Sequence, residues 1–179
     1  MSEIKQLNSK IVYQNKWMTI REDKIIRPSG AEGIYSVLDK VDFVVIVPVQ
    51  DNHIYLVEQY RYPVKGRYWE LPQGSLEGDL ESQYVDAAKR ELREETGLIS
   101  SNMVYVGYQF LACGHSSQGY HIYLATDLEQ GANDLDPEEE DLLTKKVTIE
   151  KFEEMLRTEV IKDATTLNAY SLAKLKGLL

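Results

Sequence analysis

The rhythm of hydrophobic and polar positions changes along this chain. From residue 10 to 62 a succession of short segments rich in β-branched and aromatic residues runs through "KIVYQ", "WMTIREDKII", "IYSVLDK", "VDFVVIVPV" and "HIYLVEQYRY". The stretches "PSGAEG" and "QDN" between them have the composition of turns, so this half is expected to form antiparallel strands. Val44, Val45, Ile46 and Val47 make an unbroken apolar run. It is too short for an ordinary helix, and its β-branching predicts a strand buried on both faces.

Residues 82 to 96 switch to helical spacing, with Val85, Ala88 and Leu92 as the apolar stripe and Gly97 placed to cap the C-terminus. Two strand-like segments follow, "MVYVGYQFLAC" and "GYHIYLATDL", and then an acidic stretch, "EQGANDLDPEEED". A short strand near "KKVTI" leads to a helix beginning around Glu150. A last helix runs from about Asp163 towards the end, with Asp163 as its N-cap. Strands on both sides of a helix, with helices at the end, predict an α/β/α sandwich or an α+β domain. There is no internal repeat and no low-complexity linker.

With 179 residues, 43% hydrophobic and 27% charged, the chain suits one domain with a sizeable core. Twenty Lys plus Arg against 29 Asp plus Glu give a net charge of −9. That argues against a nucleic-acid or membrane-surface binder, since both partners call for a basic field. An acidic protein that handles phosphates needs metal ions. No run of about 18 apolar residues occurs and the amino terminus lacks a signal-peptide core, so a cytoplasmic protein is expected. Cys113 is the single cysteine. It allows no intrachain disulfide and no cysteine-based zinc site, and it reads as a small buried hydrophobe.

The candidate chemistry lies in "LPQGSLEGDLESQYVDAAKRELREETGL", residues 71 to 98. On a helix, residues three and four apart share a face, so Glu91 can stand beside Glu94 and Glu95. Such a cluster calls for compensating cations. Arg90 and Arg93 could supply them, making a solvated charged face, or Mg²⁺ could, since it prefers oxygen ligands. A glycine turn after a probable strand, in "ELPQGSLEG", brings backbone close to that helix.

The block from Gly74 to Leu98 resembles the Nudix box, Gly-x5-Glu-x7-Arg-Glu-U-x-Glu-Glu-x-Gly-U, in which U is a bulky aliphatic residue. Arg90, Glu91, Leu92, Glu94, Glu95, Gly97 and Leu98 match its second half throughout. The first half departs, because the stretch from Gly74 to Arg90 is two residues longer than the pattern. Glu81 is the nearest substitute for the first Glu of the box; its other reading is a helix N-terminal charge. Further out, "VEQYRYPV", "WELPQGS", "YHIYLATDL" and "IKDATTLNAYSLAKL" resemble the ADP-ribose pyrophosphatase branch of Nudix hydrolases.

The resemblance implies a mixed-sheet α/β/α sandwich. Residues 1–40 would be an antiparallel strand region serving dimerisation and base recognition within the same domain, and 41–179 the Nudix hydrolase domain. It implies a homodimer, sometimes with exchanged N-terminal strands. Glu91 and Glu95 would be the principal Mg²⁺ ligands, with Mn²⁺ as a substitute ion. Glu94 would assist them, as ligand or in catalysis, and the backbone carbonyl of Gln73 would complete the set. A Glu in the loop before the last strand would act as base or further ligand; "DPEEED" offers Glu138, Glu139 and Glu140, with Glu140 favoured and Glu138 second. Arg61 would bind the diphosphate or terminal ribose, and its other reading is an exposed Arg at a strand end. Trp17 and Tyr35 would stack on the nucleobase, or else pack in a core or interface. Glu70 would contact substrate or metal-bound water. His115 and His121 are candidates for substrate contact or for structural hydrogen bonds.

The expected activity is Mg²⁺-dependent hydrolysis of ADP-ribose to AMP and ribose 5-phosphate. The same chemistry on another nucleoside diphosphate sugar such as GDP-mannose is the nearest alternative, and repair-type hydrolysis of oxidised nucleoside triphosphates a further one. A nucleotide-sensing domain without turnover is the alternative of another class. Retention of Glu91, Glu94 and Glu95 weighs against it.

Overall fold

The computed structural model describes residues 3–75, 84–131 and 141–179. By their contacts these fall into two compact units, one of residues 1–42 and 109–120, the other of 43–108 and 121–179.

The first unit contains a three-stranded antiparallel sheet, β1 (Lys5–Gln14), β2 (Thr19–Ile26) and β3 (Glu32–Asp39), in that order. β1 is exposed at every position. The segment between the two longest strands of the chain joins β3, with the Leu38 N–H donating to the His115 carbonyl at 2.8 Å. Cys113 lies exposed there, which corrects the expectation of a buried small hydrophobe. The physical reason is its place in a turn, where side chains face water.

The second unit is built on a seven-stranded mixed sheet. Its strands are β4 (Phe43–Gln50), β5 (His53–Arg61), β6 (Gly66–Glu70), β7 (Gln73–Ser75), β8 (Leu98–Phe110), β9 (Gly119–Gln130) and β10 (Leu143–Thr148). The main path runs β10-β5-β4-β9-β8, with β6 alongside β5 and β7 alongside β4. β4 and β5 join through Asp51 and Asn52, both at positive φ, as a two-residue hairpin requires. Three helices complete the unit: α1 (Tyr84–Thr96), α2 (Ile149–Arg157) and α3 (Ala164–Leu175).

Strand alternation explains why the sheet is covered on both sides. In β4, Val44 and Ile46 pack in a cluster with Ala88 and Leu92 of α1, so Val45 and Val47 point to the opposite face. All four are completely buried, and α3 packs on β4 as well. The strand expected from the unbroken apolar run is thus buried on both faces. Gly97 closes α1 at φ +71°, where its N–H donates to the Arg93 carbonyl at 2.8 Å. Asp163 caps α3 by accepting from the Thr166 N–H at 2.7 Å, and Thr148 caps α2 in the same way.

Candidate active site

Helix α1 carries its candidate chemistry on its buried side. Ala87, Ala88 and Leu92 supply the apolar part of that side, and Glu91 and Glu95, one helical turn apart, supply carboxylates with 8% and 0% exposure. Removing a carboxylate from water costs several kcal/mol, roughly, unless partners receive it. The Gln73 N–H donates to Glu95 Oε2 at 3.1 Å. The Glu91 carboxylate lies so close over Gly74 that a Cβ built there would collide with it. Only glycine permits this approach of backbone and carboxylate.

Glu94 is turned away. It lies about 100° round the helix from Glu95 and lines a groove of about 310 Å³ with Lys89, Arg90 and Arg93. Arg90 serves both sides: Nη2 donates to Glu91 Oε1 at 3.1 Å, and Nε is 3.5 Å from Glu94 Oε2. The three carboxylates expected to meet within one turn are therefore divided: Glu91 lies over Gly74, Glu95 accepts from Gln73, and Glu94 lies out on the Arg90 flank. Among the described residues no group of three His, Cys, Asp or Glu side chains is gathered for a metal ion. Mg²⁺ nevertheless needs only one or two carboxylates, filling its shell with water and substrate phosphate. Glu91 and Glu95, with the backbone of Gln73 and Gly74 drawn close, fit that requirement.

The turn between β6 and β7 is held from two sides. Ile46 donates its N–H to the Pro72 carbonyl at 2.9 Å, and Leu71 donates its N–H to Thr166 Oγ1 of α3 at 2.8 Å. Just before the turn, Glu70 is almost fully buried and takes a two-pronged grip from Arg61, Nε to Oε1 at 2.8 Å and Nη2 to Oε2 at 2.5 Å. The Gln73 side-chain amide also donates to Glu70 Oε2. A continuous path thus runs from Arg61 through Glu70 and Gln73 to Glu95. Burial is the largest single influence on the Arg61 pKa and pushes it down, but the hydrogen bonding and charge of Glu70, with the fields of Glu95 and Asp163, together outweigh it, so the pKa is raised and Arg61 stays cationic.

The sequence reading named Arg61 and Glu70 separately and missed their pairing. The β5–β6 register explains it: Arg61 faces Gly66, Gln59 faces Tyr68, and Val57 faces Glu70. Arg61, Tyr68 and Glu70 therefore share one face of the hairpin, and the long Arg61 side chain reaches back along it. Beside this pair opens a cleft of about 260 Å³, lined also by Val64, Tyr68, Lys162 and Asp163. Tyr68 and Lys162 escaped the sequence reading. Only the hairpin register could have pointed to Tyr68, and nothing in the local pattern singles out Lys162.

Other candidates lie elsewhere. Trp17 is 58% exposed, with Lys16 Nζ 4.2 Å from its ring centroid, and the Tyr35 hydroxyl donates to the Gly114 carbonyl at 2.9 Å. Tyr35 faces Asp23 whereas Thr19 faces Asp39, so Trp17, two residues before Thr19, is more than four rungs from Tyr35. That is over roughly 13 Å, and one chain does not bring the two rings together. His115 is exposed, and His121 stacks on Tyr84 at 3.7 Å within a cluster that includes Tyr105 and Tyr108. Glu81, Glu138, Glu139 and Glu140 lie outside the described residues, as do the first two positions of the expected helix.

Comparison with known proteins establishes the family. Residues 40–170 match the NUDIX domain, and residues 4–38 match the nucleoside diphosphate sugar hydrolase N-terminal domain. The chain belongs to the NUDIX family and is a Nudix hydrolase. Among its relatives is the ADP-ribose pyrophosphatase of Mycobacterium tuberculosis, 33% identical over 162 residues that cover 89% of this chain and 78% of the relative. The ADP-ribose pyrophosphatase of Bacillus subtilis is 26% identical, with 99% of this chain and 96% of the relative covered. A crystal structure of an ADP compounds hydrolase superposes with a TM-score of 0.86 over 99% of this chain and 97% of its own, at 21% identity, and so shares the fold. ADP-ribose pyrophosphatases of this family depend on a divalent metal. No helix among the described residues is long and apolar enough to cross a membrane.

Proposed function

We propose that the chain hydrolyses the diphosphate bond of ADP-ribose, releasing AMP and ribose 5-phosphate, with Mg²⁺ as its ion and Mn²⁺ as a substitute. The observation that carries this reading is the Glu91 carboxylate seated against Gly74, with Glu95 held by the neighbouring Gln73 N–H. Glycine and carboxylates are drawn together at a cost in desolvation that a purely structural turn has no need to bear. Two relatives that span most of the chain are ADP-ribose pyrophosphatases, which supports the choice of substrate.

In this reading Glu91 and Glu95 hold the metal, together with the backbone carbonyl of Gln73. When bound, a divalent ion neutralises the diphosphate and polarises its phosphorus towards attack by water. Arg90 holds Glu91 in place and carries charge between it and Glu94, which assists from the helix flank. Arg61, oriented by Glu70, presents its guanidinium to the diphosphate, a task for which paired donors suit it. Glu140, with Glu138 as the second candidate, accepts the proton of the attacking water. Trp17 and Tyr35 receive the nucleobase as residues of two different subunits. The exposed apolar residues of β1, with Leu7, Ile11, Val12 and Tyr13 each more than half exposed, support a homodimer through this strand region. The enzyme is assigned to the cytoplasm, with neither nucleic acid nor membrane as partner.

The test is product analysis with Mg²⁺ and, in parallel, ADP-ribose, GDP-mannose and a nucleoside triphosphate. Release of AMP from ADP-ribose in preference to the others is expected. Preference for GDP-mannose would keep the chemistry and move the substrate, and metal-independent binding without turnover would replace an enzyme with a sensor.

A further inference from the structure

The cleft beside Arg61 and Glu70 holds two cations and two carboxylates, and these are unequally engaged. Arg61 gives Nε and Nη2 to Glu70, while its Nη1 makes no hydrogen bond among the described residues. The Asp163 carboxylate accepts the Thr166 N–H with Oδ2, as the cap of α3. Lys162, at the other wall, is exposed and makes no ion pair among the described residues. The cleft therefore offers ammonium and guanidinium donors for a phosphate, with carboxylate oxygens beside them for sugar hydroxyls. Its volume of about 260 Å³ falls just below the range of drug-sized ligand sites, roughly 300–1,000 Å³. It suits one half of a nucleoside diphosphate sugar and not the whole.

Continuity places this cleft beside the carboxylate site. Glu70 lines this cleft and also receives the Gln73 side chain, whose backbone N–H holds Glu95. A phosphate lodged here is thus next to the carboxylate site, where the diphosphate is cut. Among the described residues of the cleft no ring is available to sandwich a base: Tyr68 is the one aromatic residue of that lining and lies back over Gly66, where a Cβ would meet the phenol oxygen at 2.8 Å. We infer that Lys162 holds the phosphate of the substrate's sugar-phosphate half in this cleft. The inference rests on the function proposed above and deepens it by giving Lys162 a substrate-binding role.

Calorimetric titration of ribose 5-phosphate and, separately, of AMP into the full chain tests it, with wild type compared against Lys162→Gln, Lys162→Glu and Lys162→Arg. Lys162 is exposed, so the variants are expected to melt with the wild type, and thermal melting checks this. The dissociation constant for ribose 5-phosphate is expected to rise about tenfold in Lys162→Gln, the scale of one charge-assisted hydrogen bond. It should rise further in Lys162→Glu and recover in Lys162→Arg, while AMP binding stays within about twofold throughout. Unchanged ribose 5-phosphate affinity in Lys162→Gln, equal weakening of AMP, or no binding of ribose 5-phosphate by wild type would each overturn the assignment. A wild-type protein that binds ribose 5-phosphate through Lys162 yet leaves ADP-ribose intact with Mg²⁺ would instead overturn the proposed substrate and leave the cleft as a sugar-phosphate site.

Discussion

Helices α1 and α3 both pack on β4, yet they bury different chemistry. The buried side of α3 consists of Thr165, Thr166, Ala169, Tyr170 and Ala173, and its polar atoms serve as structural fasteners. Thr166 receives the Leu71 N–H, and the Tyr170 hydroxyl donates to Glu153 of α2 at 2.7 Å. α1 instead buries two carboxylates, the groups least at home away from water. A helix that only needed to cover the sheet would have done so with residues like those of α3. On the proposed function α3 is scaffold and α1 the working element, and the difference can be broken from either side.

The largest effect is expected at Glu95. Glu95→Gln keeps the shape and the acceptor for Gln73 but removes the charge, so turnover should fall by about 10²–10³-fold, the scale for losing one preorganised electrostatic contact. The fold should persist, and steady-state kinetics beside circular dichroism decide the matter; an active, folded variant would remove Glu95 from the metal site. Next comes Gly74→Ala. The new methyl collides with the end of a flexible side chain, so Glu91 can swing aside at little structural cost. Activity should drop at least about tenfold while stability changes by under about 1 kcal/mol; a stability loss without an activity loss would make Gly74 a packing residue.

The scaffold side should answer in the opposite currency. Thr166→Val removes the acceptor for the buried Leu71 N–H, which should cost about 1–3 kcal/mol in urea denaturation. The smallest effect is a pH dependence at Glu153. Hydrogen bonds from Lys174 and then Tyr170 hold its carboxyl below the ordinary value of 4.5, against a lesser opposing push from burial. The contribution of Glu153 to stability is thus complete above that value and is lost as the pH falls through the lower folded one. Wild type should exceed Glu153→Gln in stability at pH 6, and the gap should close in acid. A gap unchanged between pH 6 and pH 3 would show that the carboxylate charge is not what joins α2 to α3.

What was legible in the sequence was what short-range physics decides. The run at Val44 to Val47, the cap at Gly97 and the cap at Asp163 each depend on residues within one or two turns, and all three stand in the structure as read. The carboxylates of α1 were legible as a cluster, but helix geometry alone could not say that Glu94 would turn towards Arg90 while Glu91 met Gly74. The Arg61–Glu70 pair was hidden because it depends on the register of β5 on β6. The 3₁₀ turn at Tyr62–Val64, with Lys65 left-handed after it, joins those two strands. Lys162 was hidden more deeply, since its place beside Arg61 is a tertiary contact between residues about a hundred positions apart in the chain. Cys113 was misread because composition describes residue types and not the turn in which one residue sits.

The hydrogen bond from Leu71 to Thr166 has one more consequence, for the order of synthesis. The Pro-Gln-Gly turn and the carboxylate helix are both complete in the growing chain by residue 97, but the turn acquires its buried acceptor only when α3 has been made. A nascent chain released before residue 166 would carry every residue of the signature and lack the contact that holds it in shape. Ribosome-bound intermediates of this protein thus possess the motif well before they can possess the site.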